Sequence, residues 1–404
     1  MALNTALTGI NAAQSDLNVI ANNIANANTT GFKGSRAEFA DVFAVTGLNL
    51  NSTATGSGAR LQDVAQQFAQ GDIETTNNSL DLAISGNGFF VVNDGSGVQY
   101  TRAGDFKKSA DDYVQTNNGA RLQIYPPNGL GGFDTSTLTD LKLVSSQSNA
   151  TATSQITMNS NLPASATVPA TAFSTTDATS FNAATPVTVY DSQGGSHQAT
   201  VYYVKTATNA WDAHLYVDGN NAGTQALTFD TSGNLATPAG GNLTFNPVNL
   251  GNGSNPLALS VNVTNTTQFG TDYSAGAINQ NGFEAGTLSN IDIDSKGVVT
   301  AYYSNNQSTQ LGQIAIANFS NVQGLRQVGE TTWSASGDSG SAVMGAAGTG
   351  TFGDLQSGAL ESSNTSDTTA QLVNMIKAQR NYQANAQVLT TDNTLATALF
   401  NAVR

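Results

Sequence analysis

Residues 3–24 read LNTALTGINAAQSDLNVIANNI, and within them Leu3, Leu7, Ile10, Gln14, Leu17, Ala21 and Ile24 follow at alternating intervals of four and three. That is the a/d seam of a coiled coil sustained over about three heptads, with Gln14 its single polar position. The spacing predicts a helix about 33 Å long. Asn4, Asn11 and Asn18 fall on a second stripe, continued by Asn22 and Asn26, so the apolar seam runs beside a row of amides.

The far end repeats the pattern. Leu372, Met375, Gln379, Tyr382, Ala386, Leu389, Asn393, Ala396, Phe400 and Val403 keep the same alternation, and Ser366 and Asp367 stand where a helix cap is needed. Two seams at opposite ends of one chain invite antiparallel pairing. The same spacing also fits two terminal helices packed separately on a globular body.

Between the helices the period changes to two. Leu257, Leu259, Val261 and Val263 alternate with polar residues, as do Val187 and Val189, Val201 and Tyr203, and Ile314 and Ile316, which predicts half-buried strands. Asp-x-x-Gly recurs at Asp94–Gly97, Asp191–Gly194, Asp230–Gly233 and Asp294–Gly297 between such runs. Asp opens a turn and Gly takes its left-handed position, so each reads as a hairpin. Residues 145–185 and 219–256 are rich in Ser, Thr, Asn, Ala and Gly and read as long surface connections or domain edges. The expected fold is mainly β with α-helical termini, the helices pairing as a coiled-coil-like domain followed by two nested β-rich domains.

A chain of 404 residues exceeds one ordinary domain of about 100–200 residues. Charged residues are only 10% of it, so its surface is largely neutral and hydrogen-bonding, which suits dense packing between subunits. A net charge of −14 argues against nucleic acid and anionic membrane surfaces as partners. The absence of cysteine excludes disulfides and thiolate chemistry. No Lys or Arg precedes Lys33, so the basic start of a secretory signal is not expected, and no run reaches the ~20 apolar residues of a membrane span.

Chemistry is sparse. His197 and His214, the two histidines, both fall in hairpin-like segments. No nucleophile elbow, phosphate loop or metalloprotease motif occurs. Asp292, Asp294, Lys296 and Gly297 faintly resemble a calcium loop, but Lys296 stands where an oxygen ligand is required. No catalytic, cofactor-binding or metal-binding residues are therefore expected.

The stretch Ala21-Asn-Asn-Ile-Ala-Asn-Ala-Asn-Thr-Thr-Gly-Phe-Lys33 resembles the N-terminal signature of the flagellar rod, hook and hook-associated protein family. Leu372-Val-Asn-Met-Ile-Lys-Ala-Gln-Arg-Asn-Tyr-Gln-Ala-Asn-Ala386 is similar to its C-terminal signature. Leu82-Ala-Ile-Ser-Gly-Asn-Gly-Phe-Phe90, Tyr100-Thr-Arg-Ala-Gly-Asp-Phe106 and Leu311–Phe319 resemble the family's inner β domain. The central portion, with Val187–Gly194 and Val201–Lys205, is similar to the outer β domain of hook subunits. The length, that central domain and the lack of a long insertion between Phe43 and Leu61 favour hook over distal rod.

The resemblance implies four domains: residues 1–30 with 362–404 as the helical domain, 31–71 with 351–361 as a connecting segment, 72–144 with 279–350 as the inner β domain, and 145–278 as the outer one. It implies a non-enzymatic extracellular subunit of a helical tube, acting as a universal joint between rod and filament. Compliance is expected in residues 51–59 and 336–350. Expected partners are further copies of the chain, the distal rod protein, the hook cap protein, the hook–filament junction (hook-associated) protein and the type III export apparatus, with no cofactor, nucleic acid or membrane.

Subunit contacts are expected at Leu3, Leu7, Ile10, Leu17, Asn22, Asn23, Ile24, Asn26, Gly31, Phe32, Leu372, Met375, Ile376, Gln379, Arg380, Tyr382, Ala386, Leu389 and Phe400. Alternatives are a distal rod or hook-associated axial protein, or, from a different class, an extracellular carbohydrate-binding β protein.

Overall fold

A computed structural model describes residues 2–42, 56–143 and 149–402, the side chains of Ala2 and Phe400 apart. The chain divides into two compact units: Met1–Val144 with Asn290–Ala301 and Ser308–Arg404, and Ser145–Ser289 with Tyr302–Gln307.

The first unit holds the two long helices, α1 (Ala2–Ala25) and α2 (Thr368–Ala402). Asp367 caps α2 by accepting from the backbone N–H groups of Thr369 and Ala370, both at 3.1 Å. After α1 comes a two-stranded antiparallel hairpin, β1 (Ser35–Asp41) with β2 (Ala59–Gln66). Such a ribbon is marginal alone. It packs beside α1, where Gly58 is needed because a Cβ there would lie 2.0 Å from the Thr8 hydroxyl.

The body of this unit is a sheet whose central run is Ser308–Asn318, Arg121–Tyr125, Phe89–Asn93, Val98–Thr101, Thr332–Ser334 and Arg326–Gly329. Its central strands, Phe89–Asn93 and the latter half of Ser308–Asn318, are buried on both faces. Phe90, Val92, Ile314 and Ile316 enter one core with Leu82, Leu122 and Ile124. Phe89, Val91, Ala315 and Ala317 enter a second core with Tyr125 and Trp333. The strand holding Ile314 and Ile316 is thus not half-buried as its alternation suggested, because the intervening alanines are small enough to sit in a second apolar layer. The unbroken run Phe89-Phe-Val-Val92 has the composition of such a strand.

The second unit is a β-sandwich. A five-stranded antiparallel sheet of Ala183–Tyr190, Ser196–Ala207, Ala210–Val217, Asn220–Phe229 and Leu235–Thr237 shares one core with a four-stranded sheet of Asn242–Thr244, Ser260–Asn262, Gln155–Asn161 and Ser274–Gln280. Alternate residues Val201, Tyr203, Trp211, Ala213, Leu215 and Val217 face inward.

The polar segments 145–185 and 219–256 are more than surface connections. Ile156, Met158, Leu162, Phe229 and Leu243 from them are core residues. Their strands were hidden because the outward positions are Ser, Thr and Asn. Within 336–350, Val343–Ala346 is a strand paired with Ala315–Asn318, and Ser339 is fully buried, so this segment is held rather than loose. Residues 51–55 of the other expected compliant connection lie outside the described residues.

All four Asp-x-x-Gly segments lie at hairpin turns. Gly194, Gly233 and Gly297 take the left-handed position, whereas at Asp94 that role falls to Gly95.

Candidate assembly interface

The helices pack antiparallel. Asp16 lies near Lys377, Gly9 near Asn385, and Asn23 near Thr365 just ahead of α2. The stripe of α1 turned inward is Ala6, Ala13, Ile20 and Asn23, all buried, with Gly9 and Asp16 half-buried. This stripe lies one residue before the predicted seam. On α2 the covered positions are Gln371, Met375, Ala378, Asn385, Ala386, Leu389 and Asp392.

The shift has a steric reason. Small residues on the inner stripe let the backbones approach, and a Cβ at Gly9 would come within 2.7 Å of the Asn385 side chain. The seam leucines Leu3, Leu7 and Leu372 are turned away. Leu3, Leu7, Leu372 and Ile376 are each about half exposed, and Val373, Leu395 and Leu399 more so. A run of exposed aliphatic residues along a paired-helix surface is a mark of an interaction face.

The expected contact residues fall into three groups. Leu3, Leu7, Asn22, Leu372, Ile376, Gln379, Arg380 and Tyr382 are exposed. Ile10, Leu17, Ile24, Asn26, Met375, Ala386 and Leu389 are half-buried at the edges of the helix pair. Asn23, Gly31 and Phe32 are buried inside the chain, and the Phe400 side chain lies outside the described residues. The first three of the last group are engaged in holding one subunit together.

Asn23 is bonded on every side. Its Nδ2 donates to Ser35 O at 2.8 Å, its Oδ1 accepts from Ser35 N at 2.9 Å, and its own carbonyl accepts from the Thr365 hydroxyl at 3.1 Å. It thereby joins α1 to β1 and to the segment entering α2. Gly31 has φ +65° and donates its N–H to Glu361 O at 2.8 Å; a Cβ there would lie 2.4 Å from Ala103 N. Only glycine adopts that backbone at that proximity without strain.

Beneath these contacts lies an ionic cluster that the sequence reading did not anticipate. Glu361, fully buried, accepts from Lys33 Nζ at 2.5 Å, from Arg102 Nη1 at 3.2 Å and from Gly71 N at 2.9 Å. Lys33 also donates to Ala69 O at 2.9 Å, while Arg102 donates to Ile84 O at 3.1 Å and Gly86 O at 2.6 Å. Two cations thus share one carboxylate, and backbone carbonyls accept further hydrogen bonds from both. Burial pushes the Lys33 ammonium below its ordinary range, with Glu361 pulling the other way, and burial likewise lowers Arg102.

The cluster unites the end of the α1 signature, the Tyr100–Phe106 motif and the strand leading to α2. One signal could have exposed it. In a chain with so few charges, Lys33 and Arg102 are each the single cation of their motifs.

A groove of about 480 Å³ lies among α1, β1 and α2, lined by Asp16, Asn23, Gln371, Asn374, Lys377 and Asn381 among others. Burial raises the Asp16 carboxyl, and Lys377 partly opposes this. Asp294, the best residue of the faint calcium loop, instead caps its own turn by accepting from Lys296 N and Val298 N. Among the described residues no group of three or more acidic or imidazole side chains is arranged to hold a metal, and no helix is long and apolar enough to cross a membrane.

Comparison with known proteins adds the family. The chain matches the flagella basal body rod protein family over residues 3–33, the flagellar hook protein FlgE/F/G D1 domain over 83–181, the flagellar basal body protein FlaE D2 domain over 159–283 and the flagellar basal body rod FlgEFG protein C-terminal family over 356–402. It is 39% identical over 414 residues to the flagellar hook protein FlgE of Escherichia coli K12, covering 99% of this chain and all of the relative.

The FlgE proteins of Rhizobium meliloti and Borreliella burgdorferi are 33% and 31% identical, each aligned over at least 97% of both chains. The crystal structure of Helicobacter pylori flagellar hook protein FlgE2 superposes with a TM-score of 0.51 at 13% identity, covering 70% of this chain and 99% of that one, a likeness of fold. With motifs in order from end to end and identity along the full length, the chain belongs to the flagellar hook protein FlgE family.

Proposed function

We propose that the chain is a structural subunit of the bacterial flagellar hook, polymerising through α1 and α2 into a curved, flexible tube that transmits torque from the rod to the filament. It has no catalytic step in this reading. The observation that carries the proposal is the aliphatic surface left uncovered when the helices pair through their small residues. Leu3, Leu7, Leu372, Ile376 and Tyr382 gain burial only against further copies of the chain. Arg380, Gln379 and Asn22 supply the polar contacts around them.

The tube lies outside the cell as part of the flagellum, and its subunits reach it through the flagellar type III apparatus. The distal rod protein meets its base, the hook cap protein its growing tip, and the junction protein its finished end. We assign the helical domain to residues 1–30 and 362–404, the connecting segment to 31–71 and 351–361, the inner β domain to 72–144 and 279–350, and the outer one to 145–278. The cluster at Glu361 joins the helices to the inner β domain.

The test is salt-induced polymerisation of purified protein viewed by electron microscopy, with Ile376→Asn as the variant. Because Ile376 is exposed in the monomer, the substitution should leave monomer unfolding within about 0.5 kcal/mol of the parent. Curved tubes from the parent, with markedly fewer from the variant, are expected. Straight tubes would move the assignment to the rod, and equal polymerisation by both proteins would refute the helix-face interface.

A further inference from the structure

In the sandwich unit, His197 stands between two carboxylates. Its Nδ1 lies 2.6 Å from Asp218 Oδ2 and its Nε2 lies 3.2 Å from Asp191 Oδ2. Each carboxylate is already fixed. Asp191, fully buried, accepts from Gln193 N and Gly195 N at 2.8 Å through Oδ1 and from Asn252 Nδ2 at 2.6 Å through Oδ2. Asp218 accepts from Gln198 N at 2.9 Å.

A carboxylate accepts and cannot donate, whereas a neutral imidazole has one N–H and one lone pair. With the ring neutral, one of the two nitrogens would therefore direct its lone pair at an anionic oxygen. With the ring doubly protonated, both contacts are charge-assisted hydrogen bonds.

We propose that His197, as an imidazolium, is a pH-sensitive clasp that fastens three surface segments of this unit: the turn 191–195, the turn after strand Ala210–Val217, and, through Asp191 and Asn252, the loop 249–255. The groups around the ring fit the role. The first turn contributes Asp191, the second Asp218, the loop the neutral amide of Asn252, and the adjacent strand Val189, which pairs with His197. The Glu284 backbone lies beside the first turn, its Cα 3.4 Å from where a Cβ at Gly194 would stand. Asp191 and Asp218 are the charged partners, and both favour the protonated ring.

The direction of the pH effect follows. Burial alone would lower the His197 midpoint, but the bonds to Asp218 and Asp191 outweigh it and raise the midpoint above the ordinary histidine value. Hydrogen bonds hold both carboxyls below their ordinary range despite burial. The imidazolium's contribution is fully present below the ordinary histidine midpoint of ~6.5 and is lost as pH rises through the raised one. The carboxylates' contribution is present above their ordinary range near pH ~4 and lost as pH falls through their depressed midpoints. The clasp therefore closes in mildly acidic to neutral water and loosens in alkali, where the turn 191–195 loses its ionic tie to Asp218.

The second histidine is an internal reference. His214 stacks on Phe173 with ring centroids 4.0 Å apart, sits 2.7 Å from the Thr224 hydroxyl, and is lowered by burial. The experiment is an NMR titration of both imidazoles in the full-length chain and in Asp218→Asn, with fluorescence-monitored unfolding of the parent and His197→Gln at pH 6 and 8.5. The expected result is a His197 midpoint above that of His214, falling in Asp218→Asn while His214 stays put. The parent's stability advantage over His197→Gln should also shrink at the higher pH. A His197 midpoint at or below that of His214, or one unmoved by Asp218→Asn, overturns the proposal, and this arm needs no folded His197 variant.

Discussion

Replacing Glu361 by Gln keeps the shape of the side chain and removes its charge, so Lys33 and Arg102 are left as two buried cations facing an amide. The side chains of Lys33 and Glu361 are fully buried and that of Arg102 is 6% exposed, so water cannot take over the lost role. Removing one partner of such a pair costs about 3–5 kcal/mol. A second route gives a matching ceiling. The variant can escape by releasing the Lys33 proton, and for a lysine of ordinary pKa ~10.4 at pH 7 this costs roughly 4.6 kcal/mol, at 1.36 kcal/mol per unit.

The second route carries a sign. In the variant the Lys33 ammonium loses the carboxylate that offset its burial, so the unfolded chain binds more protons than the folded one and stability rises with pH. At pH 9.5 the same release costs only about 1.2 kcal/mol. The expected loss in Glu361→Gln is therefore about 3–5 kcal/mol at pH 7, shrinking by half or more at pH 9.5. Urea unfolding followed by fluorescence measures it. Trp333 lies buried in this unit and Trp211 in the other, so a Trp211→Phe background confines the signal. A loss below about 1 kcal/mol at pH 7, or one that does not shrink in alkali, would refute the reasoning.

Gly31→Ala forces a Cβ to within 2.4 Å of Ala103 N at φ +65° and should cost at least about 1–3 kcal/mol in the same assay. Gly9→Leu, which drives a side chain into Asn385, should separate the helices while sparing the sheet, seen as faster proteolysis of residues 2–25 with an unchanged Trp333 transition. Leu122→Ala, at a fully buried position, should lower the stability of the first unit by about 2–5 kcal/mol in urea. Leu372→Ala, at a half-exposed position, should change monomer stability by less than about 0.5 kcal/mol while slowing polymerisation.

Local regularity made much of the fold legible. The heptad spacing located both helices, and Leu257, Leu259, Val261 and Val263 are all buried, as their alternation required. The rotation of the helix pair was not legible, because hydrophobicity marks where a helix prefers to be covered without saying by what. Here Ala6, Ala13 and Ala378 face inward because they are small, and Leu3, Leu7 and Leu372 face outward. The Ser- and Thr-rich strands escaped notice because their outward residues carry no alternation of charge. The site escaped for a different reason: Lys33, Arg102 and Glu361 are distant in sequence, and no periodicity links them.

That distance also bears on the order of folding. Lys33 and Glu361 are separated by 328 positions, so their contact closes a loop containing nearly the whole β body. Closing so long a loop from an unfolded chain would cost on the order of 5 kcal/mol in entropy, a cost reduced only once the sheets inside it have formed. During synthesis from the N-terminus, α1 is made before α2 and finds its latch last. The sticky surface is completed only in a finished molecule, so a truncated or half-made chain has no stable helix pair with which to seed a polymer.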